Sequence, residues 1–145
     1  MPRNVYSEIF LHIVWRTKDS LPLLSELIEN EVHKFIKHRC AETPGVFCHA
    51  VNGTKDHLHL CVSVPPTLLI ADWIGELKGA SSHYINQKIS AKSLQWQAGY
   101  GVVSFGKNNL SFVKEYIKNQ KVHHAEGKTY ERLERIEARA ENKSG

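Results

Sequence analysis

Two histidines on a strand and a tyrosine on a helix are the residues here whose types and spacing could do chemistry. In Asp56-His57-Leu58-His59-Leu60-Cys61-Val62-Ser63-Val64, apolar and polar residues alternate. As a strand, this puts Leu58, Leu60, Val62 and Val64 on one face and His57, His59, Cys61 and Ser63 on the other. The two imidazoles point the same way, ~6.5–7 Å apart along the chain, and by leaning together they can share one metal ion. The stretch Phe112-Val-Lys-Glu-Tyr116-Ile-Lys-Asn-Gln120 has helical spacing, with Tyr116 and Gln120 one turn apart on one face. Val113 and Ile117 form the adjacent apolar stripe, so Tyr116 sits at the edge of the buried side, where a side chain reaches into a cleft. Each piece alone has an ordinary structural role open to it, since His-x-His strands are often packing and helix-edge tyrosines usually are.

The elements that must position these residues follow from the pattern. Tyr6–Arg16 alternates, with Ile9, Leu11, Ile13 and Trp15 on one side, and reads as a strand with a clean core face. His12 falls on its mixed face, where a hydrogen-bonded sheet histidine is expected. From Pro22 to Glu42, residues Leu24, Leu27, Ile28, Val32, Phe35 and Ile36 make a helical stripe that Pro44-Gly45 stops. Val46–Val51 and the His57 strand form a hairpin across a five-residue loop, Asn52–Asp56. A second helix runs to about Ile89 on Leu69, Ile70, Trp73, Ile74, Leu77, Tyr84 and Ile85, so Tyr84 belongs to the core. Gln95–Phe105 reads as a glycine-interrupted strand, and Asn108-Asn109 can cap a third helix from Leu110 through about His124. The order β-α-β-β-α-β-α predicts an α+β, ferredoxin-like antiparallel sheet with an additional C-terminal helix. Both connecting helices should cover one face and leave His57 and His59 on the open one.

Composition bounds the answer. With 145 residues, 41% hydrophobic and 23% charged, the chain supports one core and is not wholly disordered. Cys40, Cys48 and Cys61 form an odd set with no Cys-x-x-Cys spacing, against a disulfide framework or a thiolate zinc knuckle. No apolar run reaches a membrane span, and the opening residues lack a secretory layout, so the expected compartment is the cytoplasm with no membrane partner. The net charge is +4, a mild bias toward polyanions. Residues 126–145 hold five Glu and five Lys/Arg, so all of that excess lies in residues 1–125. The expected division is a folded unit over 1–127 and a charged tail over 128–145, helical or frayed and solvated.

Taken together, these residues resemble the single-tyrosine HUH transposases of small insertion sequences and their REP-associated relatives. His57-Leu58-His59 matches the His-hydrophobe-His motif, and Tyr116 with Gln120 matches the Tyr-x-x-x-Gln of the nucleophile helix. Asn52-Gly53, the Leu77–Ser82 part of the second helix and Trp96-Gln97-Ala98-Gly99-Tyr100-Gly101 are similar to segments around those motifs. The likeness covers residues 6–124, and the tail after Gly127 departs from it. The resemblance implies a nuclease and strand transferase acting on single-stranded DNA, in particular hairpin-containing element ends. It implies that His57, His59 and Gln120 hold a divalent cation and that Tyr116 attacks a phosphodiester to give a 5′-phosphotyrosine and a free 3′-OH. It also implies a homodimer in which the tyrosine helix can serve either subunit.

The chemistry needs these residue types. A phosphodiester repels a nucleophile, so a cation must offset the charge that develops on its oxygens. A tyrosyl ester keeps the bond energy for rejoining, and a phenol of pKa near ~10 needs help to ionise. Two imidazoles suit Mn²⁺ or Zn²⁺ better than Mg²⁺, yet two His and a neutral amide make a poor closed zinc site. Mg²⁺ or Mn²⁺ is therefore expected, Mn²⁺ fitting the ligands better. Arg16, Lys55, Lys78 and Lys88 are candidate phosphate contacts, and Trp96 is a candidate base-stacking platform. Two rivals stand beside the transposase: a non-catalytic, ferredoxin-like nucleic-acid-binding module, and a domesticated REP-associated hairpin endonuclease.

Overall fold

Cross-strand partners share a sheet face, so the register fixes the layers. The computed structural model describes residues 5–137. Its strands β1 (Phe10–Arg16), β2 (Phe47–Gly53), β3 (His57–Ser63) and β4 (Gly101–Phe105) form one antiparallel sheet in the order β2-β3-β1-β4. That is the ferredoxin-like α+β order. Arg16 pairs with His57, Val14 with His59 and His12 with Cys61. Asn52 pairs with His59, and Gly101 with Val14. These residues make one face.

The other face, built on Leu11, Ile13, Trp15, Leu58, Leu60 and Val62, meets α1 (Glu26–Glu42) and α2 (Ile70–Lys88) through Val32, Ile36, Trp73, Ile74, Leu77 and Ile85. All twelve are buried, and each fully buried aliphatic contributes on the order of 1.5–3 kcal/mol. Ser25 caps α1, its Oγ accepting from the Ile28 amide at 3.5 Å. The helix therefore starts at Glu26, four residues after Pro22, rather than at Pro22.

The expected open face is covered. Three short helices, α3 (Leu110–Lys118), α4 (Gln120–Glu126) and α5 (Glu131–Glu134), lie over it. Val113 and Ile117 of α3 pack on Cys61, with Ala50 and Phe105 beside them. His57 and His59 are accordingly buried, His59 fully.

The third helix does not run unbroken to His124. It breaks at Asn119, because Asn52 of β2 donates its Nδ2 to the carbonyls of Ile117 (3.1 Å) and Lys118 (3.0 Å), taking acceptors that a continuing helix would use. The hairpin loop is Thr54–Asp56, shorter than expected, since pairing continues through Asn52 and Gly53. A Cβ on Gly53 would lie 2.1 Å from the His57 carbonyl oxygen, so only glycine lets the hairpin close there. Trp96 joins the sheet edge only by an isolated bridge to Thr17; regular pairing of the last strand starts at Gly101. The three cysteines are free. No helix among the described residues is long and apolar enough to cross a membrane.

Candidate active site

β3 projects the His57 and His59 rings onto the α3 side, 5.0 Å apart between centroids. Each ring is oriented from behind. His57 Nδ1 lies 2.8 Å from both Asp56 Oδ1 and Thr54 Oγ1. His59 Nδ1 lies 2.7 Å from His12 Nε2. These contacts satisfy the Nδ1 atoms and leave both Nε2 atoms facing the interior of the site, the arrangement that orients imidazoles toward a cation. Burial lowers His59 and pushes His12 down to about 3. Both rings are thus neutral near pH 7, and one lends the other a proton donor.

The third imidazole is His124 of α4, its Nε2 3.1 Å from His57 Nε2. The fourth group is Glu134 of α5. Its Oε1 lies 3.2 Å from His59 Nε2 and 3.6 Å from His57 Nε2, and its Oε2 lies 3.3 Å from His124 Nε2. One ligand atom from each of His57, His59, His124 and Glu134 can be chosen so that all lie within 4.8 Å of one another, a group that could hold a metal ion. Burial alone would raise the Glu134 carboxyl, but its hydrogen bonds and the neighbouring imidazoles bring it down to about 2.

Tyr116 is buried and reaches the same carboxylate: its hydroxyl donates to Glu134 Oε2 and accepts from the Tyr130 amide at 3.0 Å. Its ring stacks on His123 (centroids 4.9 Å, 21° between planes) and meets His59 edge-on at 6.0 Å. Burial and then the hydrogen bond to the carboxylate push the phenol up to about 12. Tyr116 and the two strand histidines of one chain therefore converge on the two oxygens of one side chain.

Gln120 is fully buried; its Nε2 donates to the Tyr116 carbonyl at 3.2 Å, and its Oε1 has no partner among the described residues. It makes no hydrogen bond to His57 or His59. An orphaned buried oxygen of this kind is costly and suits a group that gains a partner on binding. The helix pair carrying Tyr116 and Gln120 is anchored by Lys121, whose Nζ donates to Glu29 Oε2 (2.9 Å), Asn52 Oδ1 (3.0 Å) and the Gly53 carbonyl (3.1 Å).

The expected nucleic-acid contacts divide. Arg16 and Lys55 are exposed and flank the histidines. Arg16 lines the cleft with Asp56, His57, His124 and Glu134; Lys55 lines the adjoining groove with Asp56, Lys121 and His124. Lys78, Lys88 and Trp96 lie with the α1/α2 layer. Lys78 donates to the carbonyls of Gln97 and Gly99, each at 2.8 Å. Lys88 lies 3.6 Å from Glu31 Oε1 and over the Tyr84 ring. Trp96 donates to Ser81 Oγ and meets Trp15 edge-on.

His124 and Glu134 are the residues of this cluster that the sequence reading did not assign to the site. Within the described tail residues 128–132 are exposed, but Leu133 of the short α5 helix is 4% exposed, and Arg132 Nη2 donates to the Ser104 carbonyl at 2.7 Å. Residues 138–145 of the expected tail lie outside the described part. A Cβ on Gly101 would lie 1.9 Å from the Arg135 carbonyl oxygen, so this strand glycine is what admits the tail backbone. The tail's alternating Glu and Arg gave no hint of this, since nothing distinguishes Glu134 from Glu131 or Glu137.

The family model described as IS200-like transposase matches residues 5–120. The transposase of insertion sequence element IS200 from Salmonella typhimurium is 31% identical over 71 residues, 45% of this chain and 46% of that one. The aligned part thus spans just under half of that relative. The ISDra2 transposase TnpA of Deinococcus radiodurans is 22% identical over 125 residues, covering 81% of this chain and 88% of that one. Among solved structures, a candidate transposase from Deinococcus radiodurans superposes with a TM-score of 0.65 at 21% identity, over 83% of this chain and 96% of the other. A REP-associated tyrosine transposase bound to a REP hairpin gives 0.60 at 17% identity, over 89% and 75%. At these identities the structural likeness speaks for the fold. The sequence match runs from before β1 through Gln120 and takes in both strand histidines and Tyr116, and on that match the chain belongs to the IS200-like transposase family.

Proposed function

We propose that this transposase cleaves and rejoins single-stranded DNA with Tyr116 as the nucleophile, and that His57, His59 and Gln120 hold a divalent cation, Mn²⁺ or Mg²⁺. The observation that supports this is the shared carboxylate: the Tyr116 hydroxyl and the His59 Nε2 lie on two oxygens of one group. A phosphodiester, which also presents two oxygens, can span the same two partners. The cation, when bound, offsets the charge that develops on the phosphate oxygens.

In the attack, the Tyr116 oxygen forms a bond to phosphorus, the bond from phosphorus to the 3′-oxygen breaks, and that oxygen leaves as a 3′-OH. The phenol gives up its proton to water in the cleft, and the leaving 3′-oxygen takes one proton up from water, so the step is proton-neutral. Glu134 is a poor acceptor, because its carboxyl sits near about 2 and the phenol near about 12. It also carries the same sign of charge as the phosphate. Glu134 therefore withholds the phenol and must move aside before DNA enters. Arg16 and Lys55, flanking the histidines, are placed to take backbone phosphates, and residues 1–127 carry the catalytic fold.

The partner is single-stranded DNA with hairpin-containing ends, by analogy with the relative that was solved on a REP hairpin. The working form is a homodimer acting in the cytoplasm. In the test, labelled single-stranded oligonucleotides carrying a hairpin are incubated with the protein and Mn²⁺ or Mg²⁺, then run on a denaturing gel. A metal-dependent covalent protein–DNA band that is lost in Tyr116→Phe is expected. Binding with no adduct across a pooled library of hairpin substrates would favour the non-catalytic module instead.

A further inference from the structure

We propose that the tail converts the two-histidine site into a closed Zn²⁺ site, with His57, His59, His124 and Glu134 as its four ligands, and that closing it locks Tyr116 away. This inference rests on the proposed role of His57 and His59 in holding a cation. It adds two ligands, a different ion and a resting state to that role.

The spacing carries it. A tetrahedral ion with bonds of ~2.0–2.2 Å needs ligand atoms roughly 3.3–3.6 Å apart. His57 Nε2 to His124 Nε2 is 3.1 Å, His59 Nε2 to Glu134 Oε1 is 3.2 Å and His57 Nε2 to Glu134 Oε1 is 3.6 Å; His124 Nε2 lies 3.3 Å from the other oxygen, Oε2, and one ligand atom from each of the four residues lies within 4.8 Å of every other. The ring nitrogens turned away from this point are already engaged for His57 and His59, which leaves their Nε2 lone pairs to the ion. Three imidazoles and one carboxylate are a borderline-soft set that favours Zn²⁺ over Mg²⁺ or Mn²⁺. Four protein ligands also leave no open position for a phosphate oxygen, the mark of a structural rather than a catalytic zinc site.

Glu134 has two oxygens, and the one not facing His59 holds the Tyr116 hydroxyl. The Tyr130 amide, four residues upstream on the same tail, binds that hydroxyl as well. An ion on Oε1 thus fixes the segment that clamps the nucleophile. Exchange of Glu134 for a phosphate oxygen would open the site and free the phenol in one step.

The test uses the full chain, freed of metal, titrated with Zn²⁺ alone and with Co²⁺ as a coloured stand-in. One Zn²⁺ per chain and an intense, tetrahedral Co²⁺ visible spectrum are expected, with Zn²⁺ slowing hydrogen exchange at the Tyr130 amide. Glu134→Gln and His124→Ala, each checked for folding by circular dichroism, should each lose the tetrahedral spectrum and weaken Zn²⁺ binding at least tenfold. A weak six-coordinate Co²⁺ spectrum in the unaltered chain would overturn the proposal, as would unchanged binding in both variants. If binding survives both but vanishes in His57→Ala and His59→Ala, the closed site is wrong while the two-histidine site stands. If His57→Ala and His59→Ala also keep the ion, both are wrong.

Discussion

Adding one methyl group to β4, in Gly101→Ala, should unseat the tail without touching any group of the site. The new Cβ would lie 1.9 Å from the Arg135 carbonyl oxygen and 3.1 Å from Val14 Cγ1. The second contact needs a shift of a few tenths of an ångström. The first needs more than 1 Å, roughly, and it is backbone, so the tail must lift. What lifts with it is the Leu133 side chain, worth on the order of 1.5–3 kcal/mol of burial, and the Glu134 hydrogen bonds to His59, His124 and Tyr116, worth about 1–3 kcal/mol each in a charged pair. Partial loss of this set, about 2–4 kcal/mol, shifts the docked-to-undocked equilibrium by roughly 30- to 1,000-fold. Hydrogen exchange reads that factor directly at the Tyr130 and Leu133 amides, which donate to Tyr116 Oη and the Tyr130 carbonyl. Their protection should fall by that factor while β1 and β3 amides keep theirs, and adduct formation should rise. Unchanged protection at Tyr130 and Leu133 would refute the idea that the strand glycine seats the tail.

Glu134→Gln should raise, not lower, the rate of Mn²⁺-dependent adduct formation, because the carboxylate withholds the phenol; a drop would mean that it serves as a base. Asn52→Ala removes the side chain that caps α3 and holds Lys121, and it should cost about 1–3 kcal/mol in urea unfolding. His33 is half-buried, its Nε2 shielded without a hydrogen bond and 3.7 Å from Glu29 Oε2, and burial and then the Lys121 and Lys37 charges push it down to about 4. The unfolded chain binds that proton near ~6.5 and the folded chain does not. Stability therefore falls as pH drops from ~6.5 toward 4, by about 2 kcal/mol at pH 5, and His33→Leu should flatten that slope in denaturant melts at pH 7 and 5.

The parts of the site that obey a short-range pattern were legible. Alternation through His57 and His59 fixed their shared face, and the Val113–Ile117 stripe fixed the side from which Tyr116 enters. The sheet order followed from the run of strand and helix patterns. What could not be read depends on contacts distant in sequence. The break at Asn119 is imposed by Asn52, 67 residues earlier, because hydrogen bonds from another strand compete with the helix for its carbonyls. Burial of the histidine face depends on a tail whose alternating charges look solvated, and Glu134 is singled out only by where α5 lands. Trp96 and Lys78, chosen for nucleic acid by residue type, are engaged with Ser81 and with the carbonyls of Gln97 and Gly99, partners that composition alone does not disclose.

The most direct measurement is the location of the covalent bond. The protein is incubated with a hairpin-bearing single-stranded oligonucleotide and Mn²⁺, digested, and the nucleotide-bearing peptide is sequenced by mass spectrometry. A nucleotide attached through its 5′-phosphate to Tyr116, absent when His57 or His59 is replaced by alanine, is the predicted result. An adduct on any other residue, or one that forms equally well without the two histidines, would contradict the account.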